Sequence, residues 1–165
     1  FGHHGLIGLI VADEAPKAAA AVGGESVDLS GGCGGGGCGG GGCGGGGCHG
    51  GGDGEKMASL LADDVEWRPP LGIPIGQPKG RDAVMQAMAE AGARFFDLTT
   101  MNVEIKWIIA EGDKVVIRQA ATAKAATNGK DYANEYVWVY IVRDGKIAEI
   151  EEHVDSKRFA DIVLS

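Results

Sequence analysis

Residues 128–155, NGKDYANEYVWVYIVRDGKIAEIEEHVD, are rich in aromatic and β-branched residues and are interrupted once, at RDGK. Such residues are typical of β-strands, and an Asp-Gly pair between two strands favours a tight hairpin. We therefore predict a pair of antiparallel strands at 132–143 and 146–154. The sequence on either side extends this hairpin into a larger sheet.

Two further strands precede the hairpin, MNVEIKWIIAE at 101–111 and KVVIRQAATAKAA at 114–126. The turn EGD joins them to each other. The segment TNGKD, which contains an Asn-Gly pair, connects them to the hairpin. The pattern thus predicts four consecutive strands with tight turns between them.

Helices flank these strands. Residues 81–96 are predicted to form an amphipathic helix because their apolar side chains recur at helical spacing. The apolar stripe comprises Val84, Met85, Met88, Ala91 and Phe95. The sequence also predicts a short helix at 55–64, a strand at 65–69 that prolines end, and a last helix at 156–163. The fold class is therefore α+β, with a strongly curved, mostly antiparallel sheet packed on the long helix.

Three segments of the sequence resemble the SnoaL-like branch of the nuclear-transport-factor-two-like (ketosteroid-isomerase-like) superfamily. They are LADDVEW (61–67), GQPKGRDAV (76–84) and DGKIAEIEEHVD (144–155). The resemblance covers about residues 53–163 and implies a cone-shaped domain. Members include isomerases, polyketide cyclases, epoxide hydrolases and non-catalytic binding or assembly domains, so the fold alone does not give the function. A long first helix normally covers one side of the pocket, and a glycine tract occupies that position here. An earlier segment or a neighbouring chain could complete the pocket wall, or the wall could be open.

One face of the third strand of this meander is aromatic. Alternation along the strand places five residues on it: Tyr132, Asn134, Tyr136, Trp138 and Tyr140. This face could line a small-molecule cavity, or it could form the core or a dimer surface. The candidate pocket residues are Trp67, Phe95, Tyr136 and Trp138. A ligand site normally has about 300 Å³ or more, and a closed or dry void under about 100 Å³ would exclude the enzyme hypothesis.

The candidate catalytic residues are His153, Asp155 and Arg118. The resemblance implies that His153 and Asp155 lie at the mouth of the pocket, where Arg118 from the second strand of the meander could reach them. A histidine beside a carboxylate can act as the general base for an enolisation or an aldol cyclisation. This assignment requires His153 or Asp155 to point inward.

The same region also has structural interpretations. His153 could instead be a solvent-facing histidine at the sheet edge, among the acidic side chains Glu149, Glu151 and Glu152. Asp63 and Asp64 are interpreted as a helix end and turn. Trp67 and Trp107 are expected to belong to the core rather than to a ligand platform.

The N-terminal part has a very different composition. In CGGGGCGGGGCGGGGC, residues 33–48, only glycines separate the cysteines. Glycine has no side chain to bury and loses the most backbone freedom on ordering, so the tract is held by cross-links, a metal or neighbouring protomers, or is disordered. The candidate cross-linking or metal-binding residues are Cys33, Cys38, Cys43 and Cys48. We divide the chain into a Gly/Cys-rich extension, residues 1–52, and a SnoaL-like domain, residues 53–165.

Two functions follow from this division. The first is a structural or assembly subunit, in which the extension links protomers into a fibre or multimer that displays the domains. The alternative is an isomerase-, cyclase- or hydrolase-type enzyme that acts on a small apolar substrate, with the extension as a linker or a metal-binding tail. The sequence identifies no cofactor with certainty, and a metal at the cysteines stays open.

The charge balance limits the partners. With 23 acidic against 15 basic residues, the chain is not expected to bind nucleic acid. The apolar stretch at 6–12 is too short to span a membrane. We expect self-association and a small apolar ligand. An extracellular or cell-surface location is expected because exposed thiols in a reducing compartment would need a metal, and the cytoplasm is the alternative.

Overall fold

Alternating apolar side chains form five strands, flanked by three helices, in the computed structural model of this protein, which describes residues 52–165. The helices are α1 (Gly52–Leu60), α2 (Arg81–Phe95) and α3 (Ser156–Val163). The strands are β1 (Leu61–Arg68), β2 (Phe96–Glu111), β3 (Lys114–Ala125), β4 (Asp131–Arg143) and β5 (Lys146–Val154). The predicted α+β class is confirmed for this part of the chain. The four cysteines and the roles predicted for them lie outside the described residues.

The strands form one sheet in the order β1-β5-β4-β3-β2. Neighbouring strands are antiparallel except β1 and β5, which are parallel. The predicted hairpin turn is present between β4 and β5, where Asp144 and Gly145 both have positive φ, 51° and 71°. That conformation matches the right-handed twist of the two strands and explains the Asp-Gly pair.

The first helix is shorter than predicted. It ends at Leu60, and Asp63 and Asp64 lie on β1 rather than at a helix end. The reason is tertiary: β1 pairs with β5, far away in sequence, and this pairing buries Leu61, Val65 and Trp67. Local propensity at this boundary is weaker than the burial that the strand obtains.

Strand β2 bends, and the bend changes which side chains face inward. Its register against β3 shifts twice, once between Asp97 and Asn102 and once between Ile105 and Trp107. An extra residue in a strand reverses the alternation beyond it. Trp107 therefore lies on the outer face of the sheet and is 40% exposed, so the expectation that it belongs to the core is wrong.

The core lies on the concave face of the sheet, and all three helices contribute to it, α1 with Met57. Helix α2 contributes Val84, Met88 and Phe95, and α3 contributes Phe159 and Val163. The rings of Phe95 and Phe159 meet edge to face, with centroids 5.1 Å apart. The two rings form part of the wall of a small space beside Met88. Within residues 52–165, no helix has the length and apolar character that crossing a membrane requires.

Candidate functional site: an aromatic cavity with one buried carboxyl group

A small cavity of about 60 Å³ lies between α2, the concave face of the sheet and the loop at residues 69–80. Apolar and aromatic side chains form nearly all of its wall. Its lining residues are Trp67, Ile73, Ile75, Met88, Ala91, Gly92, Phe95, Phe96, Leu98, Met101, Tyr136, Trp138, Glu152 and Phe159. Of these, only Glu152 can carry a charge at neutral pH, so it dominates the electrostatics of the cavity.

Strand pairing places Glu152 inside. Ile150 and Glu152 occupy alternate positions of β5 and point to the concave face, and Glu152 lies directly opposite Trp138 on β4. Glu152 is only 9% exposed and forms no ion pair with any residue in 52–165. A carboxyl group in such surroundings is harder to ionise, because the charged form loses its hydration.

Burial raises the pKa of Glu152 to about 8. The indole N–H of Trp67 is close enough to lower this pKa slightly, although its geometry is too poor for it to count as a hydrogen bond. The Nε1 atoms of Trp67 and Trp138 are both buried without a hydrogen-bond partner in the described part of the chain. Near neutral pH, Glu152 is therefore mainly a neutral acid, with a small fraction of carboxylate.

A chain of hydrogen bonds runs along β4 to the same cavity. The hydroxyl oxygens of Tyr132 and Tyr136 are 2.7 Å apart. The side-chain amide of Asn134 donates to the hydroxyl of Tyr132 at 2.9 Å and to the carbonyl of Asp155 at 3.1 Å. Burial raises the pKa of Tyr132 and raises the pKa of Tyr136 well above its ordinary value, so both phenols stay neutral.

All four candidate pocket residues line this cavity. Trp67 comes from β1, Phe95 from α2, and Tyr136 and Trp138 from the aromatic face of β4. The aromatic face of β4 was expected to line a cavity or to form the core or a dimer surface. It forms part of the core and also supplies two residues to the cavity wall. The rings of Tyr136 and Trp138 are nearly parallel, at 14°, with centroids 6.3 Å apart.

The three candidate catalytic residues are not brought together in the cavity. The His153 side chain is 64% exposed, and its Nε2 lies 3.8 Å from a carboxylate oxygen of Glu151. Asp155 caps α3, where its Oδ1 accepts a hydrogen bond from the backbone N–H of Arg158 at 3.0 Å. Arg118 pairs with Glu135, and its Nε donates to that carboxylate at 3.0 Å on the outer face.

The alternation of side chains along β5 explains why His153 lies outside the cavity, contrary to the prediction. His153 follows Glu152 immediately, so the two side chains point to opposite faces of β5. The structural interpretation of His153 as solvent-facing matches its position, but it wrongly grouped Glu152 with the exposed acids. The signal that identifies Glu152 is Ile150, two positions earlier on the same face. No group of three or more metal-ligating side chains occurs among residues 52–165.

The size of the cavity is informative. At about 60 Å³ it is far smaller than the roughly 300 Å³ of an ordinary ligand site, and below the limit of about 100 Å³ set above. It is partly open rather than closed, and Ile73 and Ile75 of the loop form its outer wall. Gly72 and Gly76 flank these residues with φ of 90° and 87°, and a side chain added at either position would meet no atom within 4 Å. The outer wall of the cavity is therefore a loop with open space around its two glycines rather than a helix or strand.

Comparison with known sequences agrees with the fold. The SnoaL-like domain profile matches residues 49–150. This match and the solved structures below confirm the superfamily resemblance that was inferred from the segments at 61–67, 76–84 and 144–155. No curated protein sequence matches the chain significantly.

Several solved structures have the same fold. TerC, co-crystallised with polyporic acid, is 24% identical with a TM-score of 0.60, and the match covers 68% of this chain and 87% of that chain. An NTF2-like protein of unknown function from Burkholderia pseudomallei is 22% identical with a TM-score of 0.61, covering 68% and 86%. A candidate SnoaL-like polyketide cyclase from Jannaschia sp. is 14% identical with a TM-score of 0.61, covering 68% and 79%. Identities this low describe the fold alone.

Proposed function

Because this chain belongs to the SnoaL-like domain family, we propose that it is an isomerase- or cyclase-type enzyme in which Glu152 transfers a proton on a small apolar carbonyl compound. The observation that supports this most is a single buried carboxyl group in an aromatic cavity, with a pKa of about 8. The cyclase candidate among the similar structures is consistent with it. Isomerisation and aldol cyclisation share a first step, the removal of a proton from carbon next to a carbonyl group.

The raised pKa of Glu152 suits that step. A group whose pKa is near the working pH is both available as a base and able to return the proton, which typically contributes about 10²- to 10⁴-fold to the rate. One unit below its pKa, roughly a tenth of Glu152 is carboxylate. The carboxylate takes the proton from the α-carbon, and the electrons of that C–H bond form the enolate. Protonated Glu152 then returns the proton to a second carbon of the same molecule.

The walls select the substrate. Trp67 and Trp138 stand on either side of Glu152 and offer flat apolar surfaces, so a ring or a short unsaturated chain packs well between them. The present volume is too small for such a molecule. We propose that Ile73 and Ile75 move outward with their loop when substrate enters. The loop then excludes water over the reacting carbon.

A β,γ-unsaturated cyclohexenone tests the proposal, because moving its double bond into conjugation produces a strong ultraviolet absorbance. We expect the full chain to catalyse this change and Glu152→Gln to lower the rate about 10²- to 10⁴-fold. The matched control is Glu151→Gln, which changes the neighbouring glutamate on the outer face and should leave the rate unchanged. Equal rates for the wild-type chain and Glu152→Gln would refute the assignment.

The small cavity favours a second candidate, a non-catalytic domain whose own side chains fill the pocket. In that case cyclohexenone turnover is absent in every variant. The linking function of residues 1–52, self-association and an extracellular location remain proposals, because they rest on residues outside the described part of the chain or on composition alone. The comparisons favour the enzyme over an assembly subunit.

A further inference from the structure

We propose that the cavity continues into a groove beside α2, and that Arg94 in this groove binds a carboxylate group at the far end of an otherwise apolar substrate. The inference rests on the proposed function, because it adds a negatively charged group to the small apolar carbonyl compound. Two features of the molecule support it: the wall that the cavity shares with the groove, and an arginine without an acceptor.

The groove adjoins the cavity on the side of α2. Its volume is about 210 Å³, and Ile75, Ala91 and Phe95 line both the groove and the cavity of about 60 Å³. Together the two spaces come close to the roughly 300 Å³ of an ordinary ligand site. Ala91 and Phe95 belong to α2, whereas Ile75 belongs to the loop at 69–80. The outward movement of Ile75 proposed above therefore also joins the cavity to the groove.

Arg94 is the one arginine in residues 52–165 that has neither an ion pair nor a hydrogen bond. The other arginines all have an acidic or carbonyl partner: Arg68, Arg81, Arg118 and Arg143 contact carboxylates, and Arg158 donates to the carbonyl of Ala133. Acidic residues outnumber basic residues in this chain by 23 to 15, so carboxylates are abundant. An arginine that stays unpaired in such a chain is available to a ligand.

The position of Arg94 brings its charge to the shared wall. Arg94 lies in the last turn of α2, and its guanidinium carbon is 5.2 Å from the centroid of the Phe95 ring. A cation–π contact of this kind attracts the charge to the ring but gives none of the guanidinium N–H donors an acceptor. Because Phe95 lines both spaces, a ligand that fills them passes beside this guanidinium.

The groove also contains one acidic side chain, Glu90, which does not neutralise Arg94. Glu90 accepts a hydrogen bond from the side-chain amide of Gln86 at 2.8 Å and forms no ion pair with Arg94. Gln86 lies one turn before Glu90 on α2 and Arg94 lies one turn after it, so this bond directs the carboxylate away from Arg94. The cavity does not repel an anion either, since burial raises the pKa of Glu152 to about 8 and keeps it mainly protonated.

A carboxylate is the group that suits Arg94. The guanidinium presents a planar fork of N–H donors, which can hold both oxygens of one carboxylate. The wall between Arg94 and the cavity is apolar, since Ile75, Ala91 and Phe95 form it. The substrate class is therefore an apolar ring or chain with a carboxylate at one end, in which the ring occupies the cavity and the carboxylate occupies the groove.

Fluorine NMR titration of the full chain with two probes of the same shape tests the inference without turnover. The first probe is 3-(4-fluorophenyl)propanoate, and the second is the corresponding neutral amide. We expect the wild-type chain to bind the carboxylate about 3- to 10-fold more tightly than the amide, because Arg94 is exposed and its charge is partly screened. Arg94→Met keeps the unbranched stem but removes the donors, so it should abolish this preference and leave the affinity for the amide unchanged.

Arg143→Met is the matched control. Arg143 is an exposed arginine on β4 that lines neither the cavity nor the groove, so its substitution should leave the preference for the carboxylate intact. Arg94→Lys keeps the charge but loses the fork of donors, and it should retain only part of the preference. Ala91→Leu tests the shared wall, because the larger side chain fills the space between cavity and groove. It should weaken the binding of both probes about 10-fold.

The inference is overturned if wild type binds neither probe, if it binds both equally, or if Arg94→Met keeps the preference for the carboxylate. It is also overturned if Ala91→Leu binds the carboxylate as tightly as wild type, because the anion would then be held on the surface alone. Thermal unfolding verifies that each variant is folded, and Ile75→Trp, which fills the same wall from the loop, replaces Ala91→Leu if that variant does not fold. Since the readout is binding, a failure of the Glu152 assignment would leave this result standing. A failure here would leave the cyclohexenone result intact, because cyclohexenone has no carboxylate.

Discussion

Glu151 and Glu152 are adjacent on β5, yet they lie in opposite environments. On the outer face, Glu151 accepts a hydrogen bond from Arg68 at 2.8 Å, and Glu149 lies 3.1 Å from the same guanidinium. On the concave face, Glu152 is surrounded by aromatic rings and has no ion pair within residues 52–165. The residue type is the same, so the direction in which the strand points the side chain decides which glutamate is buried in the cavity and has its pKa raised by burial.

The burial of Glu152 also makes the stability of the fold depend on pH. Glu152 ionises at about pH 8 when folded, against 4.5 for its ordinary value, so the folded chain holds a proton that the unfolded chain releases. Stability is therefore highest below pH 4.5 as far as this group is concerned, and it falls as the pH rises to about 8.

The largest expected effect is this loss of stability. Between pH 4.5 and about 8, the contribution of Glu152 to the free energy of unfolding should fall by about 3 to 5 kcal/mol, an order-of-magnitude figure from the shift in pKa. The measurement is urea unfolding of wild type and Glu152→Gln across this pH range, and the difference between their free energies of unfolding should grow with pH. The other titrating groups are present in both proteins, so their contributions cancel.

Glu151→Gln is the control for that difference, because it removes a carboxyl group from the same strand but from the outer face. It should follow the wild-type pH dependence. If Glu152→Gln also followed it, Glu152 would be ionised normally in the folded chain, and the contrast between the two glutamates would disappear.

Much of the fold could be predicted because it depends on local signals. The Asp-Gly pair at 144–145 identified the hairpin, and apolar spacing identified α2 within one residue. The boundary at Leu60 could not be predicted because it depends on the parallel pairing of β1 with β5. The outward position of Trp107 depends on a register shift in β2, which no local residue signals.

The aromatic residues of the candidate site were predicted from the sequence, but its ionisable group was not. Its aromatic residues on β4 could be predicted because they occupy alternate positions from Tyr132 to Tyr140, interrupted only by Asn134, so the face they share is plain in the sequence. The ionisable group could not, because an error of one position on β5 exchanges Glu152 for His153. Polar residues on the concave face are the exceptions to the apolar pattern, so they are the positions where a functional group is easiest to overlook.

Gln119 is a second polar residue that is buried on the concave face. Gln119 on β3 has no measurable exposure, and neither its Oε1 nor its Nε2 has a hydrogen-bond partner among residues 52–165. Replacing it with methionine, of similar length, removes two unpaired polar atoms. We expect Gln119→Met to raise the free energy of unfolding by about 1 to 2 kcal/mol in urea unfolding.

The control for Gln119 is an exposed glutamine. Gln86 on α2 donates to Glu90 at 2.8 Å in solvent, and Gln86→Met should change stability by less than about 0.5 kcal/mol. A marked loss of stability in Gln119→Met would show that this amide is hydrogen-bonded in solution. The concave face would then contain a polar partner, such as ordered water, beside Tyr136, the residue opposite Gln119 on β4.

The smallest effect is expected on the outer face, where the charges are most numerous. Arg68 contacts Glu66, Glu149 and Glu151, yet its side chain is 44% exposed. Exposed ion pairs contribute little because water and salt screen them and the long side chains lose freedom in forming them. Arg68→Met should therefore change the unfolding midpoint less than any concave-face substitution above, and high salt should abolish the difference. A large effect that persists in high salt would mean that this network is shielded from water, and the two faces of the sheet would be less different than their exposure indicates.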